Sequence, residues 1–174
     1  MKARYDLSTA SLIVCLALIP AAAPAQLSTT PGYTKFDQQQ QAKLRAWVGT
    51  WKCISNPPSK KPDIQTTKQE GNFFVTRESG DSPNTSYTRW SHSYKMFYTV
   101  EIDDAGGTNV SSTNSLDPFN ASWTTVFPSH NVKGRPFLPY TVTMTGTMIS
   151  SKGQYYDENT GALKTSSGTC TKTS

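Results

Sequence analysis

The sequence has few charged residues, few cysteines and no long hydrophobic run. Only 17% of its 174 residues are charged, and the formal charge of +5 comes from 17 basic and 12 acidic residues. The longest apolar run is too short for a bilayer-spanning helix, and heptad repeats, collagen triplets and extreme charge are absent. These absences exclude coiled coils, collagen-like chains and strongly charged disordered proteins. The length favours a single domain.

The basic residues are scattered along the chain, and Lys60-Lys61 is the only adjacent pair. Nucleic-acid binders concentrate positive charge on one face, beside groups that read or stack on bases. We therefore expect no nucleic-acid partner, and we attribute the mild positive charge to solubility.

The first 25 residues have the composition of an export signal. Lys2 and Arg4 provide a positive start, Leu12–Ile19 is apolar, and Ala23-Pro24-Ala25 fits a small-x-small cleavage pattern. A retained membrane anchor is the alternative, but the apolar part is short for a membrane span. We therefore predict a signal peptide at residues 1–25, no stable membrane span after its removal, and a secreted or periplasmic protein.

Two cysteines, Cys53 and Cys170, remain after processing, because Cys15 lies within the predicted signal. An even number of cysteines in an oxidising compartment favours a disulfide. A metal site is the alternative, but two thiols without nearby histidines fall short of a tetrahedral ligand set. We therefore predict a Cys53–Cys170 disulfide and no metal.

The mature chain shows one helical pattern followed by strands. After a flexible leader at residues 26–35, the folded domain is expected at 36–174. Asp37 is predicted as a helix N-cap with Gln40 at the third helical position, and the helix is expected to end near Gly49. Strand patterns separated by turns occupy 50–54, 64–70, 73–78, 87–92, 95–102, 108–115, 122–127, 140–150, 154–157 and 163–171.

Short connections between these strands favour an all-β fold, namely a single antiparallel up-and-down meander or barrel of eight to ten strands. In the predicted strand 140–150, Val142, Met144 and Met148 share a face with Gly146, opposite a row of threonines. These threonines either face solvent or line a polar cavity. Gly146 in mid-strand predicts a bend, as expected where a sheet curls into a barrel.

Residues 46–53, Ala-Trp-Val-Gly-Thr-Trp-Lys-Cys, are the most distinctive stretch. A short helix that runs into Gly49-Thr50-Trp51 resembles the opening of the calycin barrels, the lipocalins and fatty-acid-binding proteins. In those families the Trp packs at the closed end and the first and last strands are neighbours. The resemblance therefore implies structural roles for Gly49 and Trp51 and a disulfide that pins the barrel closure. With the ending at 167–172, the chain looks like a group of small exported bacterial calycin-like proteins of unassigned function.

Nitrobindin-like barrels share the Gly-x-Trp start and bind haem through a histidine late in the chain. No histidine follows His130, so we expect no haem and no other cofactor. His92 and His130 are isolated, and a Gly-x-Ser-x-Gly nucleophile elbow is absent. Asp103-Asp104 is explained by turn chemistry. We therefore assign no catalytic residue.

Two arginines within strands are candidate ligand-binding residues. Arg77 shares a face with Phe73 and Val75, and Arg89 shares one with Tyr87. If these faces point inward, the guanidinium groups would bind a carboxylate or phosphate, as inward arginines do in fatty-acid-binding proteins. The alternative is that both arginines point to solvent. Five further residues either line a pocket or fill the core: Tyr98, Trp123, Phe127, Tyr140 and Met144.

The sequence thus predicts an exported protein that holds an apolar or anionic amphipathic small molecule in a barrel cavity. One alternative is an isomerase or hydrolase that uses an inward acid or Tyr inside the cavity. A second alternative is a ligand-free barrel that acts through its surface as an inhibitor or envelope partner.

Overall fold

The computed structural model describes residues 32–128, 130–131, 134–157 and 159–174. A short helix, α1 (Lys35–Lys43), continues into a 3-10 turn at Leu44–Trp47 and is followed by ten antiparallel strands. The strands are β1 (Gly49–Asn56), β2 (Asp63–Glu70), β3 (Phe73–Ser79), β4 (Asn84–Ser91), β5 (Met96–Asp103), β6 (Thr108–Thr113), β7 (Asn120–Phe127), β8 (Tyr140–Thr145), β9 (Met148–Tyr156) and β10 (Leu163–Lys172). Each strand pairs with its neighbours in sequence, and β10 pairs with β1, so the sheet closes into a barrel. The predicted all-β up-and-down barrel with a short N-terminal helix is confirmed.

Strands β1 and β10 close the barrel, and a disulfide joins them. Cys53 and Cys170 are direct partners in the antiparallel register, with Cα atoms 4.0 Å apart. The predicted disulfide is confirmed, and it links residues 117 positions apart in sequence.

Helix α1 begins three residues earlier than predicted. Thr34, at the end of the predicted leader, is the N-cap, and its hydroxyl accepts a hydrogen bond from the Asp37 N–H at 3.2 Å. The Asp37 carboxylate in turn accepts from the Thr34 N–H at 2.9 Å. This reciprocal capping box places Asp37 in the first turn, so the predicted N-cap at Asp37 with Gln40 three positions later is wrong.

The side-chain amide of Gln41 holds α1 against one end of the barrel, which we call the helix end. Gln41 donates through Nε2 to the Asn72 carbonyl in the β2–β3 turn at 3.0 Å. The same side chain accepts from the Trp90 N–H, at the end of β4, at 2.7 Å. Because Gln41 is buried, these two bonds satisfy polar groups that water does not reach.

Apolar side chains fill the interior beneath α1. Buried large residues from the 3-10 turn and from four strands or their flanking turns pack together there: Leu44, Phe74, Trp90, Phe97, Phe119 and Trp123. Trp90 and Phe97, on paired strands, pack edge to face with ring centroids 5.0 Å apart. The barrel is therefore plugged at the helix end by aromatic packing.

Gly49 and Trp51 lie at the start of β1, directly after the 3-10 turn. Trp51 is fully buried, and its indole N–H donates to the Trp47 carbonyl at 2.8 Å. Gly49 has φ +135°, and a Cβ at this position would collide with the Ser174 carbonyl oxygen. Only glycine therefore fits where the chain leaves the 3-10 turn for β1.

The predicted long strand at 140–150 is in fact two strands. β8 ends at Thr145, Gly146 and Thr147 form a turn, and β9 begins at Met148. Gly146 has φ +58°, the left-handed conformation that suits a two-residue hairpin turn. The predicted mid-strand bend at Gly146 and the predicted turn at 151–153 are therefore wrong.

The threonines of β8 face solvent, which was one of the two predicted alternatives. Thr141, Thr143 and Thr145 are exposed, whereas Val142 and Met144 are partly buried and pack against the core. Because of this alternation, β8 has one solvent-exposed face and one face that points toward the barrel interior.

The predicted signal at residues 1–25, including Cys15, and most of the predicted leader lie outside the described residues. Among the residues that the structure describes, no helix has the length and apolar character needed to cross a membrane.

A candidate ligand cavity inside the barrel

A cavity of about 320 Å³ lies inside the barrel above the aromatic plug. Eight of the ten strands, all but β1 and β6, and the segment between β6 and β7 contribute to its wall, together with the 3-10 turn. The lining residues are Leu44, Trp47, Gln65, Thr76, Glu78, Asn84, Ser86, Thr99, Glu101, Pro118, Phe119, Trp123, Tyr140, Val142, Ile149, Ser151, Gly168 and Cys170. We call this space the barrel cavity. Its volume falls in the range of small-molecule sites, about 300–1,000 Å³.

The wall of the barrel cavity is apolar toward the helix end. Leu44 and Trp47 come from the 3-10 turn. Phe119 comes from the turn before β7, and Trp123 lies on β7. The indole N–H of Trp123 donates to the Pro118 carbonyl at 3.0 Å, so this ring presents its apolar body without an unsatisfied donor.

Threonine hydroxyls form the middle of the barrel interior, where they pair with one another across strands. Thr67 and Thr76 are 2.8 Å apart through their hydroxyls, and Thr88 donates to Thr99 at 2.9 Å. Because each hydroxyl has a partner inside the protein, these polar groups are buried at little cost. Thr76 and Thr99 line the barrel cavity.

Two carboxyl side chains line the part of the cavity away from α1, which we call the far end. Glu78 is next to the last residue of β3, and its Oε2 accepts from Nε2 of Gln65 on β2 at 2.8 Å. Burial, followed by the nearby carboxyl groups of Asp63 and Glu101, raises the pKa of Glu78 to about 7. Within the described residues, Oδ1 of Asp63 is buried and lacks a hydrogen-bond partner.

Glu101 on β5 is the second carboxyl of the wall, one strand beyond β4 from Glu78. Burial raises its pKa, a hydrogen bond with Asn109 opposes that rise, and Asp103 adds to it. Tyr140 lies on the cavity wall as well, where burial raises the pKa of its phenol against a lowering hydrogen bond with Ser111.

Two of the predicted ligand-binding residues, Trp123 and Tyr140, line the barrel cavity. Met144 packs against the aromatic core beside the cavity, and Tyr98 lies on the outer face of β5, opposite Thr99 and Glu101. Phe127 is 59% exposed, so it neither lines the cavity nor fills the core.

Both candidate arginines lie outside the barrel, so the hypothesis of inward guanidinium groups is wrong. Arg77 is 54% exposed in its side chain and forms an ion pair with Glu70 at 2.7 Å. Arg89 donates through Nη2 to the Tyr33 hydroxyl at 2.6 Å and lies 5.2 Å from the Phe73 ring centre. Arg77 and Arg89 therefore hold surface segments together, and the inner face of β3 carries Glu78 instead.

Sequence reasoning missed Glu78 and Glu101, although the alternation of side chains along β3 and β5 bears on the direction of both. Glu78 is adjacent to Arg77 and so faces the opposite way, and Glu101 shares a face with Phe97 and Thr99. Since these faces mix polar and apolar residues, alternation alone does not say which one points inward.

A buried carboxylate at the helix end was also missed. Asp37 is fully buried and accepts hydrogen bonds from the Trp90 indole and from His92 Nδ1, both at 2.7 Å, and from Lys95 Nζ at 3.0 Å. Burial alone raises the pKa of this group, but bonds from Thr34, Trp90 and His92 outweigh it and hold the pKa of Asp37 well below its usual range. The cluster ties α1 to the end of β4.

The histidines occupy ordinary structural positions. His92 is bonded to Asp37, and His130 forms an isolated bridge with Pro136. In the described part of the chain, no group of three or more His, Cys, Asp or Glu residues is placed to hold a metal ion.

A second cavity, of about 460 Å³, lies at the surface beside β9. Pro136, Phe137 and Leu138 form part of its wall. They belong to the same connection as residues 132 and 133, which the structure does not describe. The barrel cavity, whose wall is described throughout, is therefore the better defined site.

In comparisons with known proteins, no family model and no curated protein matches this chain. The structure defines its class: a closed ten-strand antiparallel up-and-down barrel, consistent with a calycin-like fold, with a cavity inside.

Proposed function

We propose that this protein binds a small apolar or amphipathic molecule, without covalent chemistry, inside the barrel cavity. The observation that carries the proposal is the unfilled volume of about 320 Å³ within a closed sheet, apolar at one end and polar at the other. Ligand sites are usually concave, mostly apolar and furnished with a few fixed polar groups.

The binding energy would come from apolar surface removed from water, about 25 cal/mol per Å². Trp47, Phe119 and Trp123 offer that surface, and the hydrogen-bonded threonine pairs keep the wall fixed before a ligand arrives. A barrel filled throughout would favour the alternative of action through the outer surface, and the cavity argues for binding instead.

The proposal includes export. The signal-like first 25 residues and the likeness of the 46–53 and 167–172 segments to small exported calycin-like proteins support it. The Cys53–Cys170 disulfide is in keeping with an oxidising compartment.

Native mass spectrometry of the protein purified from its own host tests the proposal. We expect a bound small molecule that is lost when the cavity is filled by Ser86→Trp, because Ser86 lines the cavity wall. Thr85→Trp is the matched control, since the adjacent residue on β4 faces outward. Both variants are first checked for an unchanged circular dichroism spectrum.

Co-purified ligand in the wild type and in Thr85→Trp, but not in Ser86→Trp, would support the proposal. An empty wild-type protein that also fails to take up an added apolar fluorescent probe would refute it.

One observation favours a second function, an isomerase that moves a proton within the cavity. Glu78 lines the cavity and has a pKa of about 7, which suits a general acid or base at neutral pH. If this is so, the bound ligand should exchange a carbon-bound hydrogen in heavy water with the wild type and not with Glu78→Gln. A ligand that stays unexchanged leaves simple binding as the function.

A further inference from the structure

We propose that the ligand of the barrel cavity is an organic cation with an apolar tail, such as a protonated alkyl amine. Its charged group would lie between Glu78 and Glu101, and its tail would point toward the helix end. This inference rests on the proposed binding function and adds the charge and the orientation of the ligand.

The charges on the cavity wall all have one sign. Glu78 and Glu101 line the cavity, and no Lys, Arg or His is among the described residues that do so. Arg77 and Arg89, the strand arginines nearest in sequence to these acids, are held on the outside by Glu70 and Tyr33. An anionic ligand would therefore meet carboxylates without a compensating cation.

The two carboxyl groups share one side of the wall. β3 and β5 both pair with β4, where Asn84 lies opposite Glu78 and Ser86 lies opposite Glu101. With strands about 4.8 Å apart, the two backbones are separated by about 10 Å across β4. An ammonium group that replaces water between these side chains can reach both acids and the intervening Asn84 and Ser86.

The wall changes from apolar to acidic along the barrel axis. Leu44 and Trp47 enter from the helix end, whereas Glu78 and Glu101 lie within two residues of the other ends of their strands. A ligand with a charged head and an apolar tail fits this gradient in one direction only. Within the protein, Glu78 is hydrogen-bonded by the amide of Gln65, and Glu101 is hydrogen-bonded by Asn109. Both partners are neutral, and a neutral donor stabilises a buried carboxylate less than a cation does.

The ligand cation is organic rather than a metal ion. The described residues contain no cluster of three or more metal-binding side chains. The apolar wall at the helix end, which includes Leu44, Trp47 and Trp123, offers no ligand to a bare ion. A hydrocarbon tail uses that surface.

The state of Glu78 makes binding depend on pH. The groups that face it are Asp63 and Gln65 from β2 and Glu101 from β5; Asp103 and Asn109 act on Glu101, and Glu101 in turn raises the pKa of Tyr140. Because burial and then the acidic neighbours Asp63 and Glu101 disfavour the charged form, the pKa of Glu78 is raised and its carboxyl ionises at a higher pH than usual. A cationic ligand therefore binds more tightly as the pH rises through about 7, whereas a neutral ligand of the same shape does not.

Calorimetry with three probes of equal chain length tests the inference: octylamine, octan-1-ol and octanoate. At about pH 8 the ammonium group is still charged, and we expect octylamine to bind at least about tenfold more tightly than octan-1-ol, since a charged hydrogen bond contributes that much. Octanoate should bind most weakly of the three.

Glu78→Gln and Glu101→Gln keep the shape of the wall and remove one charge each. Each should lower the affinity for octylamine about tenfold and leave that for octan-1-ol within about twofold. Glu70→Gln is the matched control, because it removes the same charge from the exposed side chain paired with Arg77 and should change neither affinity.

The outcomes separate this inference from the proposed function. If none of the three probes binds the wild type, the binding function itself fails. If octan-1-ol or octanoate binds as tightly as octylamine, the cavity binds ligands but the inferred charge is wrong. The wild-type comparison decides this point even if a Gln variant does not fold.

Discussion

Replacement of Asp37 by Asn tests whether the buried carboxylate fastens α1 to the barrel. The change leaves Oδ1 to accept from Trp90 and Lys95, but it turns Oδ2 into an NH₂ group. In the wild-type protein, Oδ2 accepts from the Thr34 N–H at 2.9 Å, the Thr34 hydroxyl at 2.6 Å and His92 Nδ1 at 2.7 Å. An NH₂ group at that position cannot accept from the Thr34 N–H, and it keeps the Thr34 hydroxyl and His92 Nδ1 as partners only where these atoms turn to accept.

The expected loss follows from those contacts. A helix cap is worth about 0.5–2 kcal/mol, and a hydrogen bond to a charged group about 1.5–3 kcal/mol. Thr34 is exposed and His92 is partly exposed, so both regain water in the variant. We therefore expect Asp37→Asn to lower the free energy of unfolding by about 3 kcal/mol at neutral pH. For a domain of this size that lowers the melting temperature by about 10 °C.

Urea unfolding at two pH values measures both the size and the origin of the effect. The pKa of Asp37 is lowered in the folded protein, so its contribution to the unfolding free energy is present above the usual carboxyl range and is lost as the pH falls below it. The gap between wild type and Asp37→Asn should therefore shrink by about 1 kcal/mol between neutral pH and about pH 3.

Asp104→Asn is the control, because Asp104 lies exposed in the β5–β6 turn and should change stability by less than about 0.5 kcal/mol. A variant at Asp37 as stable as the wild type, or a gap that does not change with pH, would refute the reasoning.

Two other predictions concern the barrel wall. The double variant Cys53→Ala/Cys170→Ala should lower the free energy of unfolding by about 2–4 kcal/mol, measured in urea under oxidising conditions; equal stabilities would mean that the strand pairing alone closes the barrel. Arg77→Ala should leave the affinities for octylamine and octanoate unchanged in calorimetry, because Arg77 pairs with Glu70 outside the cavity. A selective loss of octanoate binding would show that Arg77 contributes to the binding site.

The strand order was predictable because turn residues interrupt the pattern at nearly every hairpin. Gly71-Asn72 between β2 and β3 and the 103–107 segment between β5 and β6 mark turns in both sequence and structure. The β8–β9 turn was not predictable from alternation, since Met144 and Met148 stay in phase across Gly146-Thr147. A two-residue turn preserves the period of two and so looks like one strand.

The charge of the cavity was not predictable, because β5 inverts the usual pattern. Its outer face carries Tyr98, Val100 and Ile102, and its inner face carries Thr99 and Glu101. A rule that turns the apolar face inward selects the wrong side here. The 3-10 turn that follows α1 supplies Leu44 to the apolar core that decides which face points inward, and those contacts are distant in sequence.

The sulfur bridge between β1 and β10 turns most of the polypeptide into a covalent ring. A protease that nicks any one of the nine connections between β1 and β10 opens this ring without releasing a fragment. The two resulting pieces stay attached through Cys53 and Cys170, and they separate only after reduction.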